Sequence, residues 1–270
     1  MFVHKVKFSG LGSPPLGDEQ AADKAHAVLG AWRLNGQVCG REWPFVRESY
    51  GHMAVVLSPE RDSLESTFNS SYVTTAVARY ERDGRRVTWQ LLGEDPGSAS
   101  ACSCESPSAY ALFTNYVSLE SPVRCMDCFH PVALYRFKPL PSGEFHEIVS
   151  WQSDYQSCDS LQMNCTVLER AATREISNID SSLTKTGRKH CTTLRASTGR
   201  PFFYYLFRGN GRNQRAEVER RCPGCGCGCG CGCGCGCGCG GEWHLPSRLH
   251  SLFDFKCNCC HLLSNVAFNV

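Results

Sequence analysis

The chain has 270 residues, 42% of them hydrophobic and 20% charged, with a formal charge of +2. That length holds two or three compact domains, and the composition excludes a disordered or fibrous chain. So small a net charge implies no polyanionic partner by itself, and any nucleic-acid surface must come from a local patch.

The first ninety or so residues read as strand, helix, strand, strand, helix, strand, the order of the ferredoxin-like split βαβ pattern. In "FVHKVKF" the residues Phe2, Val6 and Phe8 share one face and Lys5 and Lys7 the other, the period of a half-buried strand. From Asp18, Ala21, Ala25, Val28, Leu29 and Trp32 form one helical stripe that stops at Asn35-Gly36. "REWPFVRESYGHMAVVL" supplies two strands around a turn near Tyr50-Gly51, and Pro44 places the first at a sheet edge. Ser70 or Ser71 caps a second helix with Val73, Ala76, Val77 and Tyr80 inward, ending at Asp83-Gly84. Val87, Trp89 and Leu91 alternate in the closing strand.

"EDPGSASA" reads as a loop, with a domain boundary near residue 96. Val132 to Phe137 reads as a strand, followed by helical character from about Leu161 to Ser197, broken near Ile179-Asp180, where Asp180 or Ser181 can cap a second helix. "RPFFYYLFRG" reads as a strand buried on both sides, with base stacking by exposed aromatics as the alternative. Its six-residue apolar run, Phe202 to Phe207, is far short of the ~20 residues that cross a bilayer. The N-terminal segment lacks the basic and apolar regions of a signal peptide, so the expectation is a cytoplasmic protein with no membrane contact.

Twenty cysteines in such a compartment point to metal ligation or redox chemistry rather than disulfides. Cys102 and Cys104 form C-x-C, and Cys125 and Cys128 form C-x2-C twenty residues later. Two close pairs at this separation can surround one tetrahedral ion, and four thiolates suit zinc, with an iron–sulfur cluster as the competitor. A thioredoxin-like role for "CMDC" would not need the first pair. His130, followed by Pro131, reads as a loop residue.

A second group has Cys222 and Cys225 in one C-x2-C knuckle and Cys257 and Cys260 in another. The interval between them exceeds the usual 15 to 20 residues of a four-cysteine ribbon. Removing Gly226 to Cys239, an intact multiple of Gly-Cys, restores that interval and leaves "CPGCGGEW", with Trp243 to pack against the site. The Gly-Cys run therefore reads as an expanded repeat inside the ribbon. A metal-collecting tract resembling metallothionein in its C-x-C density is one alternative, and replacement of Cys225 by Cys239 as ligand is another. Cys259 is left spare by the C-x2-C register.

"RLNGQVCGREWP", "CSCESPSAYALFTNYVSLESPVRCMDCFHPVALYR", "WQSDYQSCDSLQMNCTVLERAATREISNIDSSLTKTGRKHC" and "FDFKCNCCHLLSN" together resemble a bacterial family of uncharacterised zinc-ribbon proteins whose suggested role is nucleic-acid binding. The resemblance spans nearly the whole chain. It implies two zinc-type cysteine groups at the positions above, with nucleic acid as partner; the Gly-Cys insertion departs from the family pattern.

Ahead of the ribbon, Arg208, Arg212, Arg215, Arg220 and Arg221 stand against Glu217 and Glu219, an arrangement that can meet phosphates or serve as a mixed-charge linker. For an enzyme, Cys158 or Cys165 with His190 as base is the arrangement to test, although no recognised catalytic spacing is present. The sequence thus predicts an α+β protein in three parts: a ferredoxin-like domain over 1–96, a four-cysteine zinc module with helical and strand segments over 97–210, and an interrupted C-terminal zinc ribbon over 211–270. The predicted function is binding, of two Zn2+ and of nucleic acid or a protein partner, rather than catalysis.

Overall fold

The computed structural model describes residues 1–10, 18–49, 51–82, 84–226 and 243–270. The expected turn residue Tyr50, the helix-ending Asp83 and most of the Gly-Cys run, Cys239 included, lie outside the described residues. The protein is mixed α+β, with two sheets. It divides into two compact units, one of Met1–Ser103, Leu119–Val123 and His130–Val149, the other of Cys104–Ser118, Arg124–Phe129 and Ser150–Val270.

The first unit holds β1 (Phe2–Ser9), α1 (Asp18–Leu34), β2 (Phe45–Glu48), β3 (Gly51–Ser58), α2 (Ser71–Glu81) and β4 (Arg86–Glu94). Their sheet runs β2-β3-β1-β4, antiparallel at every neighbouring pair. β2 is an edge strand, as Pro44 before it predicts. Val6 and Phe8 are fully buried with Ala25, Val28, Leu29 and Trp32 of α1 and Val73 and Tyr80 of α2, so the predicted stripes meet in one core. Ser70 caps α2, its hydroxyl accepting the Val73 N–H at 3.3 Å. The alternation reading passed over His4, which is buried on the same face as Val6, with Nδ1 3.0 Å from the Ser58 hydroxyl and Nε2 3.1 Å from the Arg61 carbonyl. α1 ends at a turn where Gly36 takes φ +79°, and a Cβ there would stand 2.6 Å from the Leu134 Cβ, so glycine is required twice over.

Val132 to Phe137 is not a strand. Leu134–Arg136 form a 3₁₀ turn, with Arg136 N–H donating to Ala133 and Phe137 N–H to Leu134. The adjacent Tyr135 and Arg136 both grip the Glu60 carboxylate, the guanidinium at 2.8 Å. Successive strand side chains point to opposite faces and could not do this.

The second sheet has the order β6-β5-β7-β10-β9-β8, built from β5 (Tyr110–Leu112), β6 (Val123–Cys125), β7 (Phe202–Tyr205), β8 (His244–Leu249), β9 (Phe253–Cys257) and β10 (Leu262–Ser264). β7 pairs in parallel with β5 and β10, and all four of its residues are buried, so its aromatics are core and not a stacking platform. The helices are α3 (His146–Asn164), α4 (Glu169–Ser177), α5 (Ser182–Thr198) and the short α6 (Gln214–Val218). Helix begins well before Leu161, because Ile148, Trp151, Tyr155 and Asp159 form a buried stripe at helical spacing that polar neighbours obscure in the sequence. Ser181 caps α5 as expected, accepting from Thr184 N–H at 3.1 Å. α5 lies close on β7 at Gly187, where a Cβ would stand 2.3 Å from Tyr204 and 2.6 Å from Trp151. No helix among the described residues is long and apolar enough to cross a membrane.

Candidate metal centres

Two tetrads emerge, Cys102 with Cys104, Cys125 and Cys128, and Cys222 with Cys225, Cys257 and Cys260; within each, the sulfurs lie within 4.8 Å of one another. Either tetrad could hold a metal ion. The structure brings together the four sulfurs of each predicted set, Cys225 among them.

Local chain geometry explains why the pairs converge. Cys125 ends β6 and Cys257 ends β9, so each knuckle is hung from a strand terminus. Each C-x2-C turn is followed by a residue in the left-handed region: Phe129 at φ 61°, Gly226 at φ 73° and His261 at φ 51°. That reversal closes the turn, with Phe129 N–H on the Cys125 carbonyl and Gly226 N–H on the Cys222 carbonyl, each at 2.8 Å. Backbone amides also point at sulfur, Asp127 N–H to Cys125 at 3.4 Å and Cys260 N–H to Cys257 at 3.3 Å. Such donors favour thiolate over thiol.

In the first tetrad the Asp127 carboxylate accepts both the N–H (2.8 Å) and the hydroxyl of Ser108, bracing the knuckle from the chain that follows Cys104. The Ser108 hydroxyl and amide bonds hold the Asp127 carboxyl below its usual range. In the second, Gly224 is needed because a Cβ would sit 2.7 Å from the Cys260 sulfur. Trp243 is buried beside Phe255, ring centres 5.3 Å apart, and Arg220 lies over Phe255 at 4.4 Å, so the predicted tryptophan does pack beside the residues leading to Cys222 and Cys257.

The donor set fits a soft divalent ion. The Cys225 and Cys257 sulfurs are 3.7 Å apart, too far for the ~2.05 Å of a disulfide and matching the edge, about 3.8 Å, of a tetrahedron with Zn–S bonds of about 2.3 Å. Without a cation, crowding opposes ionisation: the hydrogen bond with Cys222 and then burial push Cys257 up, and burial and then the bond with Cys225 push Cys260 up. A central charge of +2 reverses that preference.

Two of the five arginines before the ribbon, Arg208 and Arg220, are tied to a buried carboxylate. Glu217 is buried, and Arg208 grips both its oxygens at 2.6 to 3.2 Å while Arg220 stands 3.7 Å away. Burial works to raise the Glu217 carboxyl, but the Arg208 hydrogen bonds and charge, with Arg220, hold it below its ordinary value. Burial pushes Arg220 down to about 10. Arg215 pairs with Glu219 at 2.8 Å, one helical turn away, whereas Arg212 and Arg221 are exposed.

The enzyme arrangement gains nothing from the fold. Burial, then Glu175, Asp154 and Asp159, push the Cys158 thiol up, and burial pushes Cys191 up, the opposite of an activated nucleophile. Cys165 is exposed beyond the end of α3, and His190 is buried in α5.

Sequence reading missed the clamp on the first knuckle. His250 and Ser251 take φ 52° and 59°, the φ pair of a type I′ turn, without the usual Asn-Gly signal. His250 compensates by bonding the Met126 carbonyl at 2.8 Å and stacking on Phe129, ring centres 5.0 Å apart. The β8–β9 hairpin tip is thereby tied to the turn that carries Cys125 and Cys128.

An uncharacterised protein of Haemophilus influenzae is 34% identical over 249 residues, covering 90% of this chain and 90% of its own length. The chain belongs to the same family as that bacterial protein. A second uncharacterised H. influenzae protein is 33% identical over 181 residues, 67% of this chain and 82% of its own. Three domains of unknown function match along the chain: DUF8589 over residues 1–88, DUF2310 over 104–207 and DUF8594 over 234–270. No solved structure matches the chain.

Proposed function

We propose that the protein binds two Zn2+ as structural ions, one in each cysteine tetrad, and that it acts by binding nucleic acid rather than by catalysis. The observation that carries the metal reading is the convergence of two sets of four sulfurs to within 4.8 Å, each set drawn from two separate C-x-C or C-x2-C pairs. Zinc is favoured over an iron–sulfur cluster because closed four-cysteine sites built from knuckles are its usual structural form. Residues 211–270, with paired knuckles beside the β9–β10 hairpin, read as a zinc ribbon. The order β2-β3-β1-β4 with α1 and α2 as crossovers supports a ferredoxin-like reading of 1–96. Residues 97–210 then form the middle module, a division in line with the three matched regions.

Metal analysis of purified protein tests this directly. Two zinc per chain, lost with Cys125→Ser and Cys257→Ser one at a time, is the expected result; iron in place of zinc, or no metal, overturns it. Nucleic-acid binding is tested by retention across a salt series, since phosphate contacts weaken steeply as counterions are added. Absence of binding at low salt removes that half of the proposal.

A further inference from the structure

Arg208 and Arg220 are tied to the buried Glu217, but another part of the second unit is basic and open. α5 carries Lys185, Arg188, Lys189 and Arg195 and no acidic residue over its seventeen positions. Leu183, Thr184, Gly187, His190, Cys191 and Leu194 face inward, which leaves Lys185, Lys189 and Arg195 exposed and Arg188 half-buried beside them. Among the described residues, the one carboxylate ion pair of these four is Lys185 with Asp180 at 3.9 Å, both well exposed and so contributing little.

The basic face continues past the helix. Lys256 of β9 lies 4.8 Å over the Phe203 ring, and Phe203 is in ring contact with His261, which follows Cys260. The Cys191 thiol of α5 lies 3.8 Å from the Phe203 carbonyl, so the basic helix and Lys256 flank the same strand residue, beside the knuckle that completes the second tetrad.

We propose that this face, not the Arg208–Arg221 segment, is where the protein meets the phosphate backbone of a nucleic acid. The inference rests on the nucleic-acid reading above and locates it. From Lys185 to Arg195 the helix advances about 15 Å, several backbone charges of a strand that carries one per about 3.4 Å. A protein partner fits less well. Between its cations the exposed side of α5 offers Ser182, Thr186, Thr192 and Ala196, with none of the aromatic or large apolar anchors that protein interfaces are built around.

The test uses full-length, zinc-loaded protein and a short single strand, the duplex of the same sequence, and polyglutamate as a non-nucleic polyanion. Lys185→Gln/Lys189→Gln/Arg195→Gln is compared with Arg212→Gln/Arg221→Gln. The first variant should bind at least about tenfold more weakly at low salt, with a log–log salt slope shallower by about 2 to 3, while its zinc content and thermal midpoint match the parent. The second should stay within about twofold of the parent, since each exposed charge that touches no phosphate contributes little. If the α5 variant binds like the parent while the arginine pair carries the loss, the surface is wrong and nucleic-acid binding survives. If the parent itself binds neither nucleic acid at low salt, or binds polyglutamate equally well, the nucleic-acid reading falls and this one with it. Should the triple variant lose zinc, Lys189→Glu alone decides between the same outcomes.

Discussion

The two sheets are built on different terms. In the four-stranded sheet β1, β3 and β4 run eight, eight and nine residues and share a core of Val6, Phe8, Val28, Leu29 and Trp32. In the six-stranded sheet β5, β6 and β10 have three residues each, too few for ladder bonds to hold a register alone. There the cysteine turns stand at the strand ends: β6 and β9 end on tetrad cysteines, and the carbonyl of His261, the residue after the last knuckle, accepts a bond from Tyr204 N–H at 2.8 Å in the central strand. Burial of apolar surface suffices for the first unit, and in the second the proposed metal cross-links would take the place of strand length.

Removing a ligand tests that contrast most severely. Structural zinc supplies roughly 10 to 16 kcal/mol of apparent binding energy, so Cys257→Ser should lose one of the two ions and melt the six-stranded sheet. Hydrogen exchange should still find β1, β3 and α1 protected; equal loss of protection in both units would erase the distinction.

Next in size is Glu217→Gln. It strands Arg208 and Arg220 beside a buried neutral amide and should cost about 3 kcal/mol, the lower end for breaking a buried pair because Arg208 remains 37% exposed. Denaturant unfolding should register this in the second unit alone. The same carboxyl, held below its ordinary value, supports the fold fully above about pH 4.3 and loses that support as pH falls through its folded value.

His4 gives the first unit a smaller dependence in a different window. Burial lowers its pKa, so the unfolded chain takes up a proton below about 6.5 that the folded unit refuses. Stability of the four-stranded sheet should decline as pH drops from about 6.5 toward the folded value, and His4→Gln should flatten that part of the profile. A profile unchanged by the substitution would mean that His4 is not the group responsible.

Least is expected from deleting Gly226 to Cys239. If Cys225 is the ligand, zinc per chain and the melting of the second unit stay as in the parent; loss of one zinc would point to Cys239 instead.

Much of the cysteine chemistry was legible because it is local. Close pairs of thiols sit on short turns, so C-x-C and C-x2-C are visible as spacing, and the pairs at Cys102/Cys104 and Cys125/Cys128, which the fold brings together, can be counted in the sequence. The strand and helix order of the first unit was legible for a similar reason, since period-2 and period-3.6 stripes such as Val6/Phe8 and Val28/Leu29/Trp32 are written within a few residues. Leu134–Arg136 escaped because its geometry answers to Glu60, more than seventy residues away. The start of α3 escaped because its buried stripe is interleaved with polar residues.

By itself, then, the sequence determined which thiols can share an ion and which segments can be amphipathic, because both depend on distances along the chain. Only the tertiary structure decided which charges remain free. Arg208 and Arg220 look open to phosphate until Glu217 is seen buried between them, and Lys185, Lys189 and Arg195 become a surface only once the other side of α5 is packed on β7. A charge is available or spent according to what folds against it, and that is settled by long-range contacts that no local pattern records.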